Sequence, residues 1–325
     1  LTLNLFNIMY VLPYYDNPEN SNKFGWGRMY EFIDFENIED SKGNFRTIKI
    51  EYFKHGFKRW PTIDNNSKNN VLILGDSYTE MNYVNNGEEW YSYIEKEFYN
   101  YDFYVYGSRG YSTLQEYLVF NEYIDEINPK FIILQFDSND FIHNYYPSSK
   151  RDFLSNSIEP RPYLINGSIQ YRLSGGFEKI KLKSRFVRYF LNIFNNIKRI
   201  VWLKNFDIYK KRLIGEGSKF SEYDLFSGKF NESLNITSQI FSMFRNKSNE
   251  IPIVIFTSDD VSTNELIKIT NSSSFHFIKG FDDYLYKFNY NDIIIPNDGH
   301  WNTIGNKIVG EYLIYYFKEN HLIEN

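Results

Sequence analysis

The stretch with the most chemical content is Gly75-Asp76-Ser77, placed directly after the apolar run Val71-Leu72-Ile73-Leu74. Four consecutive apolar residues between Asn69-Asn70 and that turn read as a short strand buried on both faces, the pattern of a parallel sheet. Ligands of open parallel sheets bind beyond the carboxyl ends of the strands, where Ser77 would stand. Ser77 is therefore a nucleophile candidate. The tripeptide equally suits ordinary turn chemistry, with glycine freeing the backbone and Asp76 and Ser77 capping the next helix. Serine is a weak nucleophile at neutral pH. To attack an ester it needs a base to take its proton and donors to hold the oxyanion that forms. The base candidate is His300, within Pro296-Asn297-Asp298-Gly299-His300-Trp301-Asn302, and Asp298 is the nearest acid that could orient its ring. Gly110, in Gly107-Ser108-Arg109-Gly110-Tyr111-Ser112-Thr113, can bring a backbone N–H close to a ligand with no Cβ in the way.

These groups need elements that carry them to one place. A second strand is expected over 101–106, ending at the glycine-rich turn, and a third over Phe131-Ile132-Ile133-Leu134-Gln135-Phe136, ending at Asp137-Ser138-Asn139-Asp140. Helical spacing of Trp90, Tyr91, Ile94 and Phe98 predicts a helix over 88–98, and a second is expected over 113–127. Apolar runs at 251–257 and 274–278 supply strands four and five. A closing helix over 303–316 presents Ile304, Ile308, Val309, Tyr312, Leu313 and Tyr316 on one face. Each polar motif follows a strand, so parallel strands would carry all of them to one rim.

In that order, Ser77, Gly110, Asn139 and His300 make the chain resemble the SGNH (GDSL-type) hydrolases over about Ile73 to His300. The resemblance implies a three-layer α/β/α, flavodoxin-like fold with a five-stranded, mostly parallel sheet. It implies Ser77, Asp298 and His300 as catalytic residues, and an oxyanion hole built from the backbone N–H groups of Ser77 and Gly110 and the side-chain amide of Asn139. The departures are specific. The family has Asn at the position of Val105, Gly at the position of Asp137, and the orienting Asp three residues before the histidine, where this chain has Asn297. Asp298 is taken as the orienting acid, with Asn297 the alternative. A carboxylate at Asp137 facing an oxyanion would oppose the developing charge, so it is expected to point away or to bind a cation. Residues 52–59 resemble the Asn-x-x-Gly-Phe-Arg element of members linked to surface polysaccharides, with Phe53 and Lys58 departing from it; a loop packed on the sheet edge explains them as well. The function implied is a serine esterase cleaving short acyl groups, O-acetyl above all, from a carbohydrate or other acylated small molecule. An O-acetyltransferase using the same site and a non-catalytic glycan-binding protein are the alternatives.

Composition sets the remaining bounds. The 325 residues suit one core with an elaborate insertion: an N-terminal extension over 1–62, then a domain over 63–325 interrupted at about 145–249. Without cysteine there is no disulfide and no thiol nucleophile. A net charge of −5 gives no nucleic-acid footprint. His55, His143, His276, His300 and His321 show no paired metal-ligand spacing, and no phosphate or dinucleotide loop is present, so neither metal nor cofactor is expected. His55 reads as a surface residue and His276 as a packed or hydrogen-bonded strand residue. Residues 184–202 form an amphipathic pattern flanked by lysines and arginines, compatible with a solvated helix over the rim or with contact to an anionic membrane surface. The apolar start over 1–12 is too short to span a bilayer. It is either a buried segment or the remnant of an upstream anchor, the latter favouring an extracytoplasmic or membrane-associated setting.

Overall fold

The computed structural model describes residues 23–27, 30–39, 45–61, 69–146, 160–173, 227–258, 263–295 and 298–323. The amphipathic segment 184–202, the apolar start and Asn297 lie outside them. In chain order, β1 (Phe32–Glu39) and β2 (Phe45–Tyr52) form an antiparallel pair of their own. The alternating residues from Thr47 lie in β2, whose partner is β1 and not the main sheet. Ile48, Ile50 and Tyr52 close a small separate cluster. The main sheet's edge is met by Arg59 instead, whose backbone pairs with Val105: Lys58 N–H donates to Val105 O at 2.7 Å and Val105 N–H to Arg59 O at 3.1 Å.

The main sheet begins with β3 (Asn69–Gly75), β4 (Tyr101–Gly107) and β5 (Phe131–Phe136). A hairpin of β6 (Pro160–Ile165) and β7 (Ser168–Leu173) follows, and β8 (Ile253–Thr257) and β9 (His276–Phe277) complete the sheet. All its pairings are parallel, in the order β4-β3-β5-β8-β9. This is the flavodoxin-like order, with its switch point between β3 and β5. Strand β8 starts two residues later than expected because Pro252 has no N–H and offers only its carbonyl, to Ile132 N–H at 3.0 Å. Strand β9 is shortened at its start because Ser274 adopts φ +57° and Phe275 N–H turns back to Thr270 O at 2.9 Å, closing the preceding helix.

The two faces of the sheet are read directly from alternate residues. Leu72, Leu74, Ile132, Leu134, Phe136, Ile253 and Ile255 belong to one core cluster, and Val71, Ile73, Phe131, Ile133, Val254 and Phe256 to the other. The helices that cover and link the strands are α1 (Ser77–Glu80), α2 (Trp90–Glu97), α3 (Thr113–Ile127), α4 (Asn139–Asn144), α5 (Ser227–Ser248), α6 (Thr263–Ser272), α7 (Phe281–Leu285), α8 (Tyr290–Ile293) and α9 (Thr303–Glu319). The first face is covered by α3, α5 and α6, the second by α2, α7 and α9. Helix α3 has the limits its sequence predicts: a capping box of Ser112 and Gln115 opens it, and left-handed Asn128 closes it ahead of Pro129. Phe24 and Phe57, from the stretch read as an extension, and Leu164, Ile240, Phe241 and Phe244, from the stretch read as an insertion, are all buried in the first cluster.

No described helix is long and apolar enough to cross a membrane.

Candidate active site

Strand β3 ends at Gly75, level in register with Gly107 at the end of β4. Both glycines are required by close approach. A Cβ at Gly75 would overlap Thr79 Oγ1 and Gln135 Oε1, and one at Gly107 would overlap the backbone of Thr79 and Glu80. With neither present, the single turn α1 nests against the two strand ends. Asp76 caps it by accepting Tyr78 N–H at 2.9 Å, left-handed Met81 ends it, and Ser77 is its first residue.

His300 is delivered by a turn as tightly specified. Asp298 and Gly299 N–H groups both donate to Ile295 O, Ile295 N–H donates to His300 O at 2.8 Å, and Gly299 takes φ +98°. Trp301 anchors the turn in the core, and Asn302 caps α9 by accepting from Ile304 and Gly305 N–H. The outcome is a contact across the rim: Ser77 Oγ lies 2.7 Å from His300 Nε2. On the other side of the ring, His300 Nδ1 meets Asp298 Oδ1, which also accepts the His300 backbone N–H at 3.3 Å. Burial pushes the Asp298 carboxyl up, but the hydrogen bonds and charge of His300, helped by Arg109, outweigh it and hold the group below its ordinary value. Tyr83 stacks on the imidazole at 4.4 Å and Tyr78 lies 4.6 Å from it, so the ring is held by contact as well as by hydrogen bonds. Arg109 sits 5.2 Å over Tyr83 and pairs with Glu80 at 3.2 Å and Glu36 at 3.4 Å.

Gly110, with φ +68°, lies in the turn after β4, and Asn139 opens α4 after β5. Neither the Ser77 and Gly110 N–H groups nor the Asn139 side chain is engaged by a hydrogen bond among the described residues. Both carboxylate oxygens of Asp137 are taken by protein donors. Its Oδ1 accepts Asn139 N–H at 2.9 Å and its Oδ2 accepts the Ser258 hydroxyl at 2.7 Å.

His55, His143 and His276 have other surroundings. His55 is part-exposed at the surface, stacked at 4.8 Å on Tyr123 with Trp60 at its edge. His276 Nε2 lies 2.9 Å from the Tyr316 hydroxyl. Burial, then the Arg161 charge, keeps His143 well below its ordinary pKa and hence neutral. Among the described residues no group of three or more acidic or histidine side chains could hold a metal ion.

The support under the nucleophile was not anticipated. Gln135 Oε1 accepts from Asp76 N–H and from the Thr79 hydroxyl, each at 3.1 Å, and Gln135 Nε2 donates to Ser258 Oγ at 3.4 Å. The signal was available: Gln135 is the lone polar residue in an apolar run. Behind it lie buried carboxyls. Burial, then Asp137, pushes Asp76 up to about 7; burial, then Asp76, raises Asp140 well above its ordinary value; and burial, then Asp140 and Asp76, does the same to Glu116.

No family model matches the chain. No curated protein matches it. Solved structures similar to it include a member of the lipolytic G-D-S-L protein family from Veillonella parvula, 12% identical over 77% of this chain and 98% of that one with a TM-score of 0.40. The esterase EstA from a Pseudoalteromonas species is 9% identical over 79% and 100% with a TM-score of 0.42. A family 3 carbohydrate esterase from Clostridium thermocellum is 14% identical over 78% and 96% with a TM-score of 0.39. The likeness is one of fold, and the chemistry rests on this chain's own residues.

Proposed function

We propose that the protein is an SGNH-type serine ester hydrolase that removes short acyl groups, acetyl above all, from hydroxyls of a carbohydrate. The observation that carries the reading is the contact of Ser77 Oγ with His300 Nε2 at 2.7 Å, with Asp298 on the far nitrogen. Ser77 Oγ attacks the acyl carbonyl carbon while its proton passes to His300 Nε2, and Asp298 stabilises the imidazolium. Negative charge gathers on the carbonyl oxygen, where the N–H groups of Ser77 and Gly110 and the Asn139 amide would receive it. Collapse breaks the bond to the alcohol oxygen, which takes the proton from His300. Water, deprotonated by the same imidazole, then releases the acid from Ser77. The choice of a carbohydrate as the alcohol rests on the resemblance of residues 52–59 to the element of members linked to surface polysaccharides.

The test is hydrolysis of p-nitrophenyl acetate, butyrate and octanoate by the wild type and by Ser77→Ala, followed by an O-acetylated glycan with and without an alcohol acceptor. Activity abolished in the variant and falling with acyl length supports the reading. Acyl transfer to the acceptor in preference to water would assign a transferase, and wild-type activity no greater than that of Ser77→Ala would refute catalysis.

A further inference from the structure

The oxyanion donor proposed for Gly110 is the N–H of the peptide that joins Arg109 to Gly110. In a trans peptide, that N–H and the Arg109 C=O point in opposite directions from one rigid plane. Whatever holds the carbonyl therefore aims the N–H. The group holding it is the indole of Trp26, whose Nε1–H donates to Arg109 O at 2.9 Å.

The arrangement is reciprocal. The Tyr111 hydroxyl, one residue beyond Gly110, donates to the backbone carbonyl of Trp26, and the two rings meet edge to face at 5.7 Å. Gln115 Nε2 holds the Phe24 carbonyl at 2.7 Å. Gly27, at φ +115°, leaves room for this: a Cβ there would lie 2.6 Å from the Tyr111 hydroxyl and 2.8 Å from that of Tyr106. The next peptide is held too. Arg161, 5% exposed on β6, donates Nη2–H to Gly110 O at 2.8 Å while its guanidinium lies 4.8 Å over the Trp26 ring. Two consecutive carbonyls of the turn are thus gripped by side chains from two distant segments.

We propose that Trp26 is a positioning residue that aims and polarises the Gly110 N–H, with Arg161 completing the clamp. This rests on the esterase reading. Donation into the carbonyl of an amide strengthens the hydrogen bond its N–H can give, and the clamp spares the turn from reorganising as charge develops. The turn is closed by Tyr111 N–H on Ser108 O at 3.0 Å, with Gly110 at φ +68°; that bond fixes the ends of the turn, and the central Arg109–Gly110 peptide is oriented by what holds its own carbonyl.

The test is Trp26→Phe, which keeps an aromatic ring beside Arg161 and Tyr111 but removes the N–H donor along with part of the ring, with Arg161→Lys as the second variant. Steady-state kinetics on p-nitrophenyl acetate are normalised to titrated active sites, and the inhibition constant of a short alkyl boronic acid is measured beside them. The boronate adds to Ser77 Oγ and places an oxygen where the oxyanion would form. Deleting an oxyanion donor outright costs roughly 100- to 1,000-fold, so misaiming one should lower kcat by about 10-fold with KM within about twofold, and weaken the boronate by a similar factor. A purely structural role would lower the melting temperature and the titrated fraction, leaving kcat per site and boronate affinity unchanged. That result in both variants overturns the clamp. An inactive wild type that also ignores the boronate overturns the esterase reading and the clamp with it, whereas an active wild type with insensitive variants overturns the clamp alone.

Discussion

Asp76 gives a prediction about stability whose size follows from its surroundings. It is fully buried, one oxygen accepting Tyr78 N–H and the other without a partner. Burial, then Asp137, pushes its carboxyl from 3.8 up to about 7, although Tyr78 N–H, His300 and Gln135 pull the other way. Between those values the folded chain keeps a proton that the unfolded chain has lost. Raising the pH through the interval therefore favours unfolding: stability is fullest below 3.8 and is lost by about 7. Each pH unit is worth about 1.4 kcal/mol, so roughly two units between pH 5 and 7 amount to about 3 kcal/mol, with little change beyond. His55, His143 and His276, all held below their ordinary pKa, act with the opposite sign below pH 6.5, so the wild-type curve alone would mix the effects. Asp76→Asn removes the Asp76 contribution together with the part of the Asp140 and Glu116 shifts that Asp76 causes, which has the same sign, while the histidine contributions cancel between the two chains and the amide oxygen can still cap Tyr78 N–H. Urea unfolding of both proteins at pH 5, 6, 7 and 8 should show the variant gaining on the wild type by about 3 kcal/mol across the series. A variant-minus-wild-type stability that stays constant with pH, or falls as pH rises, would refute the assignment of a buried, proton-holding carboxyl beside the nucleophile.

Other outcomes follow from the same geometry. Asp298→Asn keeps a hydrogen-bonding side chain at His300 Nδ1 but removes the charge that steadies the imidazolium, so kcat per titrated site should fall by at least about 100-fold with KM little changed; a loss under about threefold would remove Asp298 from the mechanism. Gly107→Ala drives a methyl into the backbone of Thr79 and Glu80, where no side chain can swing aside, and should cost about 2 kcal/mol or more in urea unfolding together with most of the activity. Gln135→Leu leaves the Asp76 N–H and the Thr79 hydroxyl buried and unpaired, and a destabilisation of about 2 kcal/mol or more is expected by the same measurement.

How much of this was legible in the sequence depends on whether a signal is local. The run Val71–Leu74 and the turn after it carry their own pattern, because a strand covered on both faces must be apolar at every position and must stop where glycine and aspartate begin. The Asp-Gly-His-Trp-Asn block is legible for a similar reason: within five residues it contains the positive-φ glycine, the core anchor and the helix cap that together aim His300. Period alone did not say which sheet the strand near 47–53 would join, since alternation fixes a face but not a partner. Trp26 and Arg161 carried no signal at all. Each acts through one hydrogen bond to a turn far away in sequence, and neither has a spacing to that turn that chemistry would require.

Asp137 shows how a departure from a pattern is resolved by a second position rather than by itself. Read alone, a carboxylate in place of glycine next to a developing oxyanion is a liability. The parallel pairing of Phe136 with Thr257 brings Ser258 to the same rim, one residue beyond the end of β8. There its hydroxyl takes one carboxylate oxygen of Asp137, while Asn139 N–H takes the other. Both oxygens are thereby committed to the loop. The same Ser258 hydroxyl accepts from Gln135, which in turn holds Asp76 N–H and Thr79. The aspartate is thus the outer end of a hydrogen-bonded chain running beneath the nucleophile turn, and it carries the Asn139 backbone with it. Asp137 keeps both oxygens engaged in this way only while residue 258 can donate.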